Sequence, residues 1–168
     1  MYTNPDLTKI YTTADFPLGA KYSANDKAYR FVKYNDGSHT VTGVAGYLAY
    51  MCYSGTTTVP NWTVTCDYTS ATDVISNYNC GVGFLCAALT DGTYGWIQTA
   101  GYNEVAGLTT GNVAAGETIV ASGANGTIDG IAAGANHTGR TLGFALADDA
   151  TTSQAVGTMV ITIDTPCA

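Results

Sequence analysis

Few stretches of ten residues in this chain run without a Gly, a Pro or a cluster of Thr, Ser and Asn. An amphipathic helix needs a longer uninterrupted run with apolar residues every three to four positions, and that period is nearly absent. The chain is therefore expected to be all-β, with strands over 28–34, 46–53, 61–68, 80–89, 94–100, 117–121, 127–132, 140–147 and 156–164. Short strands at this spacing build a sandwich or a barrel. Two turns have a mechanism in the sequence. Asp91-Gly92 and Asn125-Gly126 supply the positive-φ residues that tight hairpins require, and both are expected to close hairpins. Gly116 is placed to relieve a sharp turn before a short strand, with "GTIDGIA" returning toward it.

At 168 residues the chain suffices for one domain, burying roughly 70% of its unfolded surface. Aromatic residues are unevenly placed. All twelve tyrosines and both tryptophans precede residue 103, whereas residues 103–168 contain 23 Ala and Gly and a single aromatic, Phe144. On this reading the two halves are not equivalent repeats, and the bulky N-terminal strands fill the core of a thin C-terminal half, giving one interlocked domain. Residues 1–25, with Pro5 and Pro17 and no sustained alternation, read as an extended arm on a β domain over 26–168. A polar insertion is expected at about 54–79.

Charge is as uneven as aromaticity. Residues 1–33 carry Lys9, Lys21, Lys27, Arg30 and Lys33 against Asp6, Asp15 and Asp26, a net of +2, while residues 34–168 set Arg140 against ten acids, a net of −9. An overall charge of −7 argues against wrapping nucleic acid or adhering to an anionic membrane, both of which need a dense basic surface. No run approaches the roughly 18 apolar residues of a membrane span. The opening "MYTNPDLTKIY" lacks the basic-then-apolar order of a secretory leader, so none is expected. Cys52, Cys66, Cys80, Cys86 and Cys167 form an odd set without a CxxC, which fits buried thiols in a reducing compartment. The sequons at Asn61, Asn125 and Asn136 then read as turn chemistry.

No motif for catalysis is present: there is no GxSxG elbow, P-loop, HExxH or GxGxxG. His39 and His137 sit in turn-like sequence, where exposed polar residues are ordinary. Cys80 and Cys86 lie six apart, about 20 Å along a strand, too far to chelate together. Asp148 and Asp149 read as a solvated hairpin tip rather than a calcium loop. In "KAYRFVKY", Lys27, Tyr29, Phe31 and Lys33 share one strand face, and Ala28, Arg30, Val32 and Tyr34 the other, so neither face reads as cleanly buried. Three readings follow: a platform for single-stranded nucleic acid, which the global charge disfavours; an edge strand protected by its lysines; or an edge that docks an acidic protein.

Four segments recur in a telling order: "PLGAKYSANDKAYRFVKYNDG", "CGVGFLCAALTDGTYGWIQTAG", "VAAGETIVASGANGTIDG" and "GRTLGFALADDATTSQAVGTMVITI". Over roughly residues 17–164 this order resembles the capsid decoration, or cement, proteins of tailed bacteriophages. The resemblance implies a single β-barrel or tulip-like sandwich on the outer face of the phage head. It implies self-association, a trimer before a dimer, with no cofactor and no catalysis. The implied partner is the major capsid protein, and the implied setting is the virion, assembled in the bacterial cytoplasm. Lys9, Tyr11, Phe16, Lys21, Lys27, Arg30 and Lys33 are then the expected capsid contacts, the basic front of the chain meeting an acidic shell. The long polar stretch at 53–79 and the Cys-rich middle depart from the pattern and bear on oligomer geometry. Two other readings remain: a carbohydrate-binding module using Trp62 as a stacking platform, with Trp96 in the core, and a minor tail or neck protein.

Overall fold

The computed structural model describes residues 4–37, 39–52, 61–68, 81–109, 113–122, 124–131, 141–148 and 155–160. Every regular element among them is a strand, as the missing helical period requires: β1 (Lys21–Ala24), β2 (Lys27–Tyr34), β3 (Leu48–Met51), β4 (Thr63–Thr65), β5 (Gly81–Leu85), β6 (Tyr94–Thr109), β7 (Thr118–Ala121), β8 (Thr127–Ile131), β9 (Gly143–Ala145) and β10 (Ala155–Val160). Both expected turns close antiparallel pairs. Gly92 (φ 75°) lies between β5 and β6, and Gly126 (φ 65°) between β7 and β8. Gly116 (φ 84°) makes the sharp turn ahead of β7. Most of the polar insertion expected at 54–79 lies outside the described residues, as do Cys80, His137, Arg140, Asp149 and Cys167.

The ten strands form one sheet that closes on itself twice. In the first closure β2 pairs parallel with β4, and the ring returns through β3, β5 and β6 to β2, every other pair antiparallel. In the second, β6 pairs parallel with β8, and the ring returns through β7, β9 and β10 to β6, again antiparallel elsewhere. The connectivity is identical, and β6 is the last strand of the first barrel and the first strand of the second.

The agreement extends to single hydrogen bonds. Gly46 donates to the Leu85 carbonyl at 2.8 Å, and Gly116 to the Ala145 carbonyl at 2.8 Å. Leu85 donates to Tyr47 O (2.9 Å) as Ala145 does to Glu117 O (3.0 Å). The left-handed residue before β4 is Trp62 (φ 54°), and the one before β8 is Gly126. The expectation that the halves are not repeats thus holds for side-chain content and fails for topology. Backbone pairing requires alternation and turns, which both halves have, and it is indifferent to whether the buried positions hold Tyr or Ala.

Three apolar clusters organise the molecule. Val32, Tyr34, Ala49, Met51, Val64, Leu85 and Ile97, drawn from all five strands, fill the first barrel. Ile119, Ala121, Ile128, Leu142, Ala145 and Val113 occupy the equivalent space in the second, together with Leu48, Tyr50 and Phe84 from the outward face of the first. The bulky N-terminal half therefore does complete the core of the Ala-rich half, as the composition leads one to expect. The third cluster, on the outside of β2 and β6, joins Tyr29, Phe31 and Trp96 to Tyr11, with Leu7, Phe16 and Ala20 packed against it.

Candidate binding surface at the N-terminal segment

Residues 4–20 carry no regular strand, yet they lie against the protein's own first barrel. Tyr11 is 4% exposed, bridges β6 through reciprocal bonds with Tyr94 (2.9 and 2.8 Å), and sits edge-on to Phe31 at 5.4 Å. Phe16 meets Phe31 and Trp96 edge-on, each at 5.2 Å between ring centres. These contacts bury both faces of β2 from Tyr29 to Val32, the inner face by the barrel and the outer by the N-terminal segment. The expectation that neither face would be cleanly buried fails for this reason. Nor is β2 an edge: it pairs with β1, β4 and β6.

The edge is β1, which lies in the stretch expected to be part of the arm and which pairs with β2 alone among the described strands. Asn25 and Asp26, both at positive φ (50° and 59°), form its two-residue hairpin turn. That "AND" signal was present in the sequence. With Ala24 and Lys27 flanking a two-residue turn, Ala24 and Tyr22 direct their backbone groups to β2, and Lys21 and Ser23 direct theirs to the open edge.

Beside β1 opens an apolar cleft of about 370 Å³, lined by Pro5, Phe16, Pro17, Leu18, Tyr22 and Trp96, with Lys21 at its side. Trp96, placed in the core by the sequence, is 1% exposed, and its indole N–H has no hydrogen-bond partner among the described residues.

The structure divides the seven expected contact residues. Phe16 and Lys21 meet at the cleft. Lys9 stays at the surface over the Tyr11 ring (4.6 Å), 4.0 Å from Asp15. Tyr11 is in the core. Arg30 is 9% exposed, donates to Gly19 O at 2.6 Å and stacks over Trp62 at 4.6 Å, so it is a structural clamp. Lys33 is half-buried beside the parallel β2–β4 pair, and Lys27 reaches over the Tyr102 ring at 5.8 Å. Trp62 is only half-buried, but Arg30 covers one face and Gly19 fits so closely against the indole that a Cβ there would clash.

Other titratable groups serve the fold. The carboxylate of Asp67, wholly buried, accepts from the backbone N–H of His39 (3.2 Å) and meets its ring Nδ1 at 2.8 Å, tying the loop after β2 to the end of β4. His39 is the exposed turn residue that the sequence leads one to expect, and it also clasps Asp67. Asp148 caps the Ala115 N–H at 2.7 Å, and Asn125 accepts from Tyr68 N at 2.8 Å. Burial pushes the thiols of Cys66 and Cys86 up to about 12, which keeps them neutral near pH 7. Among the described residues no three His, Cys, Asp or Glu side chains converge on a metal site.

The fold is that of an all-β protein in which β1 is an open edge among the described strands. No protein-family model and no curated protein sequence matches the chain.

Proposed function

We propose that this protein is a decoration (cement) protein of a tailed-phage head, binding the outer surface of the shell and bridging neighbouring major capsid protein subunits without catalysis. The observation that carries the reading is the pairing of β1, an open edge among the described strands, with an apolar cleft beside it. An extended segment of a shell subunit would add as a strand to β1 and place an apolar side chain in the cleft. The positive balance of residues 1–33 favours an acidic segment. A protein that binds only the assembled lattice stabilises that lattice by mass action, and contacts to two subunits multiply the effect.

The test is co-sedimentation of the full chain with purified, undecorated heads. Binding should saturate at a fixed ratio to the capsid subunit. Ser23→Pro removes an outward N–H from the β1 edge and spares the bonds to β2, and it should weaken binding about tenfold or more at unchanged melting temperature. Lys21→Glu should weaken it in a salt-dependent way. Absence of binding by the wild type sinks the cement reading, while undiminished binding by Ser23→Pro sinks the route through β1.

A further inference from the structure

In each barrel the strand that makes the parallel pair is entered through one left-handed residue, Trp62 (φ 54°) before β4 and Gly126 (φ 65°) before β8. Glycine meets that backbone demand at no steric cost, whereas a bulky residue there is strained. The second barrel closes on Gly126, so the connectivity itself asks for no side chain at this point. The indole of Trp62 therefore has to be explained by what it touches. It rests against the first-barrel cluster, takes the Arg30 guanidinium over its face at 4.6 Å, and abuts Gly19 at a point where only glycine fits. Arg30 completes the triangle by donating to Gly19 O at 2.6 Å.

These contacts converge on the wall of the cleft. Along one side of β2, Phe31 N–H donates to Ala20 O (3.0 Å) and Phe31 O accepts from Gly19 N–H (2.8 Å), while two residues further on Lys33 N–H donates to Trp62 O (3.0 Å). Two residues of strand span about 7 Å, so the Trp62 ring stands beside the point where the N-terminal segment joins β2. Residues 17–20 line the cleft and lead directly into β1. From this we infer that Trp62 is a positioning residue for docking: clamped by Arg30, its ring sets the place of residues 17–20 and so holds the cleft wall and the β1 edge in one fixed relation. The inference rests on the shell-binding reading of that edge and assigns to it a residue outside the seven expected contacts. A wall already in place lowers the ordering cost of binding, and a wall in place for only a fraction of the time weakens the apparent affinity by that fraction.

Trp62→Leu keeps apolar volume against the barrel but removes the ring face that holds Arg30, and Trp62→Phe keeps such a face. Native-state amide exchange of the full chain reads the wall without any shell. In Trp62→Leu the Gly19 and Phe31 amides should exchange about tenfold faster or more, beyond any change at Leu85, whose N–H is bonded to Tyr47 O on the far side of the first barrel. Trp62→Phe should recover most of the protection. In co-sedimentation with undecorated heads, Trp62→Leu should bind about tenfold more weakly at the same saturating ratio. Gly19 and Phe31 amides that stay protected overturn the inference, as do amides that speed up only as much as Leu85 does, since the ring would then be ordinary packing. Heads that bind the wild type and Trp62→Leu equally well overturn it and leave the shell-binding reading standing, whereas a wild type that does not bind removes the shell-binding reading and the docking role of Trp62 with it.

Discussion

Tyr50 and Tyr34 show how one residue type serves two purposes in adjacent clusters. The Tyr34 hydroxyl donates to Val41 O at 2.6 Å and accepts from Cys66 N at 3.3 Å, which satisfies it, and burial raises its pKa. The Tyr50 hydroxyl, between the barrels and edge-on to Tyr68 at 5.8 Å, has no hydrogen-bond partner among the described residues, and burial again raises its pKa. An unsatisfied buried hydroxyl costs about 1–3 kcal/mol, whereas the ring alone is favourable there. Tyr50→Phe should therefore raise stability by roughly 1 kcal/mol, read as a higher urea midpoint at constant m-value. Tyr34→Phe should lower it by a similar amount. A Tyr50→Phe variant less stable than the wild type would mean that the hydroxyl has a partner after all.

Among the elements, the N-terminal segment departs furthest from expectation. A chain lacking alternation and containing two prolines looks like a tether, but Tyr11, Phe16 and Ala20 close the outer face of β2 and β6. Deleting residues 1–25 would remove β1 and expose Phe31 and Trp96, both essentially fully buried. The deletion is expected to lower stability by several kcal/mol and to yield an aggregating product, since each large side chain uncovered forfeits about 1.5–3 kcal/mol. Phe16→Ala should show a milder form of the same loss, about 2 kcal/mol by denaturant titration. A deletion product that melts as the wild type does would restore the free-arm picture. Attachment is for this reason better probed at Lys21 and Ser23, which are exposed, than by truncation.

At the scale of the whole molecule, the two barrels are chained together by β6 and by the cluster in which Leu48, Tyr50 and Phe84 meet Ile119, Ile128 and Leu142. Leu48 N–H also donates to Gly126 O at 2.9 Å, and Gly126 lies so close to the Tyr47 ring that a Cβ would overlap it. A shared strand and a shared core leave no surface along which one barrel could unfold and the other persist. Calorimetry should give a single transition with van't Hoff and calorimetric enthalpies equal, and Leu48→Ala should lower that one transition, costing about 2–5 kcal/mol. Two resolved transitions would contradict a common core.

By itself the sequence determined the class of structure: scattered Gly and Thr deny a helix its length, DG and NG fix two hairpins, and the burial of Trp96 follows from its place in an alternating strand. The repeat was also partly written there. "VAGYLAYMC" at 44–52 answers "AAGETIVAS" at 114–122, and "GFLCAALTDGT" at 83–93 answers "GFALADDAT" at 143–151, but the contrast between Tyr-rich and Ala-rich halves hides it. Only the tertiary structure decided which surfaces are covered. Phe84 and Phe144 hold equivalent positions in equivalent strands, and one is buried while the other is 43% exposed. Strand identity is set by local periodicity, but burial is set by what packs against the strand from far along the chain, and no local pattern encodes that.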